Sequence, residues 1–230
     1  MKKLEEITKL VINVDMVNGF VKEGAMADRY IEHIIPEHKK IMEKIVEEQE
    51  GLAIVKDTHK KDCIEFNRFP VHCVEGTEEA ELIEELKEFE SNAIVYKKNS
   101  TSTIYAPKFI EDIDKMKKLE KVIIIGCCTD ICILNLAIPL KNYFDQKDRN
   151  IEIIVPKNAV ETYAIKYNEN SNGTSQQVNG TNVNLTTGTG PDLNVTLTAQ
   201  VGGDNIANGD EVKQGEVIKY IAKVTNNGTE

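Results

Sequence analysis

Short apolar runs that end close to a polar residue recur through the first 166 residues, and they constrain the fold more than any other feature. They are rich in Ile, Leu and Val, and each is too short for a helix that crosses a domain. They cover residues 9–15, 52–55, 93–96, 122–125 and 151–155. Such runs are typical of parallel strands that are buried on both faces.

Helix-like segments separate these runs. The first is marked by apolar residues at helical spacing and by a following glycine, at Ile31, Ile34, Ile35, Ile41, Met42, Ile45, Val46 and Gly51. A second is marked by Leu82, Ile83, Leu86 and Phe89, and a third covers residues 130–144. This alternation predicts an α/β fold, a parallel sheet with helices on both faces. Ligands of such sheets bind outside the carboxyl ends of the strands.

The composition changes near Asn168. We expect one domain over residues 1–166, a flexible Asn/Gly/Thr/Ser-rich linker over 167–190 and a partial antiparallel β repeat over 191–230. In the tail, apolar residues alternate over 193–201 and 218–224, with turn-like triplets at 208–210 and 214–216. A unit of this size is only marginally stable alone.

Charge and hydropathy exclude some functions. The net charge of −10 disfavours nucleic acid as a partner. The sequence has no apolar run of the roughly 20 residues that cross a bilayer and no secretory signal, so a cytoplasmic protein without a membrane partner is expected. The 5 cysteines include an adjacent pair, which favours reduced thiols. Association into a homo-oligomer stays open.

A cysteine follows the fourth apolar run, in the segment Gly126-Cys127-Cys128-Thr129-Asp130-Ile131-Cys132-Ile133. In the first turn of a helix, Cys132 would have a lowered thiol pKa, with Thr129 as the helix cap. Free N–H groups of the turn could bind an oxyanion. The alternative is that Cys132 is a small buried apolar residue.

Two charged residues would meet Cys132 at the same edge of the sheet. Asp15 ends the first strand and could exchange a proton with the thiol. Lys98 follows the third strand and could stabilise a thiolate by its charge. The alternatives are a solvated or helix-capping acid and an ordinary surface lysine, with Lys97 as a rival.

A set of nitrogen and oxygen ligands follows the second strand. Asp57 and His59 form an Asp-x-His pair, and His72 comes later in the chain. Such a set suits Zn, Fe or Mn. A turn with a surface histidine is the alternative, and the spacing of Cys63 and Cys73 fits no usual thiolate zinc site.

Three segments resemble signatures of the isochorismatase-like cysteine hydrolases. They are Val14-Asp15-Met16-Val17-Asn18-Gly19-Phe20, Lys98-Asn99-Ser100-Thr101-Ser102-Thr103-Ile104 and residues 126–133. The resemblance covers residues 8–166 and implies that Asp15, Lys98 and Cys132 form a catalytic triad. It also implies a cis peptide between Cys127 and Cys128, with the amides of Cys128 and Cys132 as the oxyanion hole. Val17 and the pair Thr103-Ile104 depart from the usual pattern of the family.

The Asp-x-His pair and the segment from Phe69 to Thr77 resemble the nicotinamidase (pyrazinamidase) type of this family. The resemblance implies that Asp57, His59 and His72 bind one divalent transition metal, with Glu65 as a further ligand. Zn is the first choice, and Fe or Mn are alternatives. It also implies that Phe20 and Phe69 enclose the ring of a small amide substrate, although both could be core residues.

The implied reaction is the conversion of nicotinamide to nicotinate and ammonia through a cysteine thioester, as in NAD salvage. Two alternatives stay open. One is a metal-independent hydrolase of another small amide or ureido compound, although those relatives generally lack the metal ligands. The other is a non-catalytic chimeric protein, because the tail resembles a fragment of a bacterial cell-surface repeat and the final helix and strand of the hydrolase domain are missing from the sequence pattern.

Overall fold

The computed structural model describes residues 2–164, 193–201, 204–206 and 218–226. The chain divides into two compact units, Met1–Asn182 and Val183–Glu230. The predicted linker at 167–190, the position of a closing helix and strand after residue 166, and the turns at 208–210 and 214–216 all lie outside the described residues.

The first unit contains a parallel sheet. Its strands are β1 (Lys9–Val14), β2 (Gly51–Asp57), β3 (Ile94–Lys98), β4 (Lys121–Cys127), β5 (Glu152–Ile154) and β6 (Val160–Glu161). Their order is β3-β2-β1-β4-β5, and β6 also pairs with β4. The predicted α/β class is therefore confirmed.

Within residues 2–164, four α-helices accompany the sheet: α1 (Asn18–Val21), α2 (Ile35–Glu47), α3 (Phe109–Lys115) and α4 (Leu134–Gln146). The 3₁₀ helices there occupy Leu4–Glu6, Arg29–Ile34, Ile64–Asn67, Glu78–Ala80, Glu84–Asn92 and Thr103–Tyr105. Every residue of β2 is buried, as is every residue of β1 after Lys9. Since successive side chains of a strand point to opposite faces, both faces of the central strands are covered.

Three helix predictions need correction. The segment predicted from Leu82 and Phe89 is a 3₁₀ helix, Glu84–Asn92, and Leu82 pairs instead with Val17 in an isolated β-bridge. The first predicted helix is α only from Ile35, because Pro36 favours the first turn of a helix and the preceding turn is 3₁₀.

The third predicted helix begins as a π-helix, Thr129–Ile133, and becomes α4 only at Leu134. Cys128 is its N-cap and makes no side-chain capping bond, so the prediction that Thr129 caps this helix is wrong.

The second unit contributes three strands to the described part of the chain. They are β7 (Leu193–Val201), β8 (Asp204–Ile206) and β9 (Ile218–Asn226), in the order β8-β7-β9. Both pairings are antiparallel, and Ala199 stands opposite Tyr220 in the longer one. The alternating apolar residues that predict β7 and β9 match this arrangement of strands.

No helix within the described residues is both long enough and apolar enough to cross a membrane.

The adjacent strands β1 and β4 form the topological switch point of the sheet, where the order in which strands are added changes from one side to the other. β2 and β3 lie on one side of this pair, and β5 lies on the other. Ligands of open parallel sheets bind at this point. Gly126, near the end of β4, has a φ of 127°, and a Cβ atom there would lie 2.0 Å from the carbonyl oxygen of Val14. Only glycine allows β4 to approach β1 this closely.

We expect Gly126→Ala to lower the free energy of unfolding by about 3 kcal/mol or more, because backbone strain and a clash act together. Urea denaturation of the full chain measures this loss. Gly76→Ala is the matched control, because Gly76 also has a positive φ, 82°, but a Cβ there meets no atom within 4 Å. The control should lose only about 1–2 kcal/mol. Equal losses in the two variants would contradict the close approach.

Candidate active site

The carboxyl ends of four adjacent strands bring the predicted catalytic residues together. Asp15 directly follows β1, Asp57 ends β2, and Lys98 ends β3. Asp57 stands opposite Lys98 in the parallel register. Cys132 lies in the π-helix that follows β4. Because parallel strands end at the same edge of a sheet, these residues converge although the sequence separates them widely.

Lys98 is the centre of the arrangement. Its Nζ lies 2.9 Å from Asp15 Oδ2, 2.9 Å from Asp57 Oδ1 and 3.8 Å from Cys132 Sγ. Lys98 is 1% exposed and Asp15 is fully buried. Among the described residues, none donates a hydrogen bond to Asp15 Oδ1, which leaves this oxygen free to accept a proton.

The charges of Asp15, Lys98 and Asp57 depend on one another. Burial raises the pKa of Asp15 to about 6, although Lys98 opposes this shift. Burial alone would lower the pKa of Lys98, but the carboxylates of Asp15 and Asp57 raise it well above its ordinary value. Burial would also raise the pKa of Asp57, yet Lys98 and then His59 and His72 hold it well below its ordinary range. At neutral pH the lysine is therefore an ammonium between two carboxylates.

The thiol of Cys132 differs from the prediction. Burial raises its pKa well above the ordinary value, and the charge of Lys98 only partly offsets this effect. The predicted lowering of the Cys132 thiol pKa is wrong for the free protein. The rise caused by desolvation outweighs the fall caused by the positive end of the helix dipole. A protonated thiol needs a base, and Asp15 is the adjacent carboxylate. All five cysteines are free, as predicted.

The turn that carries Cys132 is held by one carbonyl group. The N–H groups of Ile131 and Ile133 both donate to the carbonyl oxygen of Cys128, each at 3.1 Å. The N–H of Cys132 lies between them in the chain. The peptide bond between Cys127 and Cys128 is cis, as the sequence resemblance implies.

The predicted metal ligands form a compact buried cluster. Asp57 Oδ2 lies 3.0 Å from His59 Nε2 and 3.3 Å from His72 Nε2, and the two Nε2 atoms are 3.1 Å apart. All three side chains are buried. One carboxylate oxygen and two imidazole nitrogens that converge in this way are a ligand set of the kind that transition metals take.

The outer nitrogens of both histidines have partners of their own. His72 Nδ1 lies 2.7 Å from the carbonyl oxygen of Pro70, which makes it a donor. His59 Nδ1 lies 3.3 Å from the Cys63 thiol. The carbonyl of Pro70 places the proton of His72 on Nδ1 and directs its Nε2 lone pair inward, whereas a thiol can donate to or accept from His59. The residues present therefore fit a divalent metal.

Glu65 lies at the edge of this cluster. Its Oε1 accepts hydrogen bonds from the N–H and the hydroxyl of Thr101, at 2.9 and 2.8 Å. Its Oε2 lies 3.6 Å from His59 Nε2. One carboxylate oxygen of Glu65 is thus anchored, and the other faces the histidine.

A cleft opens over both groups of residues. It contains about 340 Å³ of empty space, including the part open to solvent. The sequence-predicted residues in its lining are Phe20, Asp57, Glu65, Phe69, His72, Cys128 and Cys132. The rings of Phe20 and Phe69 lie 5.5 and 6.3 Å from the ring of His72. The structure thus brings all the predicted site residues to one region of the molecule.

A family model for the isochorismatase domain matches residues 9–185. The chain belongs to the isochorismatase family. This match decides the identification, because it includes every strand of the parallel sheet and every residue of the site.

Known relatives agree with this membership. Nicotinamidase 1 of Arabidopsis thaliana is 29% identical over 142 residues, which are 55% of this chain and 57% of that protein. This chain therefore matches little more than half of its curated relative.

Two solved structures share the fold. N-carbamoylsarcosine amidase from Thermoplasma acidophilum has a TM-score of 0.58 at 24% identity, covering 71% of this chain and 88% of that one. Pyrazinamidase of Pyrococcus horikoshii in complex with zinc has a TM-score of 0.54 at 22% identity, covering 67% and 86%.

Sequence reasoning missed several residues of the site. Met26, Thr101, Ile131 and Tyr163 line the cleft, and Phe66 packs edge-on against His59 and His72. Met26 and Tyr163 lie outside the family-like segments, and a single such residue gives no sequence signal that separates a site wall from a core position. Thr101 and Ile131 lie within the segments 98–104 and 126–133, and Phe66 is close in sequence to His59 and His72, so these three had a signal.

We expect Lys98→Met to lower the free energy of unfolding by about 3–5 kcal/mol, because it leaves two buried carboxylates without their cation. The loss should be greater at pH 8 than at pH 5, since protonation of Asp15 removes one of the unpaired charges. Thermal and urea denaturation at the two pH values measure both effects.

Lys97→Met is the control for this prediction. The Lys97 side chain is 55% exposed, and its partner Glu75 is exposed as well. This variant should change stability by no more than about 0.5 kcal/mol. A loss in Lys98→Met as small as that of the control would show that Lys98 does not hold the two carboxylates.

Proposed function

We propose that this protein is an amide hydrolase that converts nicotinamide to nicotinate and ammonia. The observation that carries the proposal is Asp57, which joins two clusters. Its Oδ1 pairs with the lysine beside Cys132, and its Oδ2 faces the histidines. A nucleophile and a nitrogen/oxygen ligand set therefore border one cleft. The nicotinamidase from Arabidopsis thaliana supports this choice of substrate.

Asp15 and Cys132 carry the chemistry. Asp15 accepts the thiol proton, and the thiolate adds to the carboxamide carbon, so that the C=O electron pair moves to oxygen. Lys98 balances the negative charge by its ammonium group. Asp15 then returns the proton to the nitrogen as the C–N bond breaks, which releases ammonia. Water then loses a proton to Asp15 and its oxygen adds to the thioester carbon. The C–S bond breaks, nicotinate is freed, and Asp15 returns its proton to Cys132 Sγ.

The developing oxyanion is bound by backbone N–H groups. The turn after β4 provides the amides of Cys128 and Cys132 for this role. One such donor contributes about 3–4 kcal/mol to transition-state stabilisation in comparable sites. Phe20 and Phe69, on the side of His72, enclose the aromatic ring.

Asp57, His59 and His72 would hold a divalent transition metal, and the free Oε2 of Glu65 would face it. When bound, the metal supplies a Lewis acid for the ring nitrogen of the substrate. Zinc is our first choice, in keeping with the zinc complex of the Pyrococcus horikoshii pyrazinamidase. The product would enter NAD salvage.

A second candidate substrate is a small ureido compound. The fold shared with N-carbamoylsarcosine amidase favours this alternative, because the same Asp15, Lys98 and Cys132 chemistry serves any small carbonyl group that bears nitrogen. The buried ligand cluster favours nicotinamide, since a ureido compound offers no ring nitrogen for a metal to hold.

The decisive assay follows ammonia and nicotinate release from nicotinamide by the full chain, with and without a chelator. N-carbamoylsarcosine is the competing substrate. We expect release that the chelator abolishes and that added Zn²⁺ restores. Release that is indifferent to metal, or release from N-carbamoylsarcosine alone, would contradict the proposal.

Cys132→Ala should abolish turnover, by a factor of at least about 10⁴, while nicotinamide binding persists. Isothermal titration with the variant measures that binding. Cys73→Ala is the control, because the Cys73 thiol is also buried but contacts the carbonyl oxygen of Glu79. It should retain turnover. Residual turnover in Cys132→Ala near the wild-type rate would exclude the thioester.

The pH dependence follows from Asp15. It accepts a proton only as a carboxylate, and its pKa is raised to about 6. We therefore expect kcat/KM to fall about tenfold per pH unit below pH 6, and to be nearly constant from pH 7 to 8. Bound metal is measured at each pH, so that metal loss is recognised. Constant kcat/KM down to pH 4.5 would contradict Asp15 as the base.

A further inference from the structure

The segment Glu161 to Ala164 borders the cleft at Tyr163 and makes two hydrogen bonds to other segments of the chain. The Thr162 hydroxyl donates to Asp130 Oδ1 at 2.6 Å, and the Ala164 N–H donates to Asp28 Oδ2 at 2.8 Å. Asp130 lies in the same turn as Cys132. Tyr163 lies between the two bonded residues, and the bond from Thr162 ties its segment to the turn that carries Cys132.

The Tyr163 hydroxyl is buried without an oxygen or nitrogen partner. The side chain lines the cleft together with Cys128 and Cys132, and among the described residues Oη has only the weak thiol of Cys128 as a neighbour of hydrogen-bonding type. A buried polar group without a partner costs about 1–3 kcal/mol, and such a group calls for a specific explanation. The cleft is the direction from which a partner can come.

The groups around this hydroxyl indicate at which end of the cleft it lies. Burial raises the pKa of Tyr163 far above its ordinary value, and the thiols of Cys128 and Cys127 add to the effect. The hydroxyl thus remains a proton donor at every pH at which the protein works. Its neighbours are the cysteines of the nucleophile turn, so it belongs to the end where the carbonyl group reacts.

We propose that Tyr163 is a further catalytic residue whose hydroxyl donates a hydrogen bond to the oxyanion that forms when Cys132 attacks. This inference rests on the proposed function. The hydroxyl keeps its proton throughout. It joins the amides of Cys128 and Cys132 as a third donor, and the oxyanion supplies the oxygen partner that the hydroxyl lacks among the described residues.

The test compares Tyr163→Phe with wild type, using nicotinamide as substrate and pyridine-3-carbaldehyde as probe. The aldehyde adds to the Cys132 thiol and forms a hemithioacetal that bears the oxygen in question. We expect kcat to fall about 10- to 100-fold with little change in KM, because the bond forms only in the transition state. The affinity for the aldehyde should fall by a similar factor.

A ground-state measurement separates this role from a structural one. Nicotinamide should bind Cys132→Ala and the double variant Cys132→Ala/Tyr163→Phe equally well. Tyr105→Phe is the matched control, because it removes the same hydroxyl from a side chain that is 80% exposed. It should change neither turnover nor aldehyde affinity.

Unchanged kcat and aldehyde affinity in Tyr163→Phe would overturn the proposal. A loss confined to KM, or equal weakening of nicotinamide and aldehyde, would overturn it as well. If wild type does not hydrolyse nicotinamide, the proposed function fails, but the aldehyde affinities still decide the role of Tyr163. Equal affinities, or no adduct in either protein, then count against it.

Discussion

The buried ammonium group of Lys98 is the constraint on which the site depends. Two carboxylates and a thiol surround it without contact with solvent, and desolvation acts against every charge in the group. Removing the cation would leave like charges at close range in a medium that screens them poorly. The ammonium group and the two carboxylates are stable in the protein interior only together. The strands that carry them must therefore pair in the one register that brings these side chains into contact.

Asp57 extends that constraint to the second cluster. Its two oxygens face different partners, the lysine on one side and the histidines on the other. A cation bound at the histidines would draw charge from the same carboxylate that balances Lys98. The pKa of Asp15, which also depends on Lys98, would respond. In the proposed reaction, metal binding and acid–base chemistry would therefore be coupled through the side chain of Asp57.

Among the buried polar atoms that lack an oxygen or nitrogen hydrogen-bond partner in the described part of the chain, two lie at positions that the proposed reaction would fill. They are Asp15 Oδ1 and Tyr163 Oη. Both belong to the surroundings of Cys132. Such polar groups lower the stability of the fold, and a substrate that satisfies them would recover that loss on binding. A rigid site whose polar groups gain their partners only during the reaction can therefore favour the transition state, in which charge has developed on the substrate.

The sequence by itself determined the α/β class and the positions of five of the six described parallel strands, because a buried strand must be apolar and the polar residue that follows it marks the edge of the sheet. The two-residue strand β6 (Val160–Glu161) gave no such signal. The resemblance to a known family was not needed for that step, although it supplied the expected roles of Asp15, Lys98 and Cys132. Only the tertiary structure decided that Asp57 is shared, that burial raises the pKa of Cys132, and that Tyr163 reaches the cleft. These properties depend on solvent exclusion and on contacts between distant segments, and a local pattern of residues contains neither.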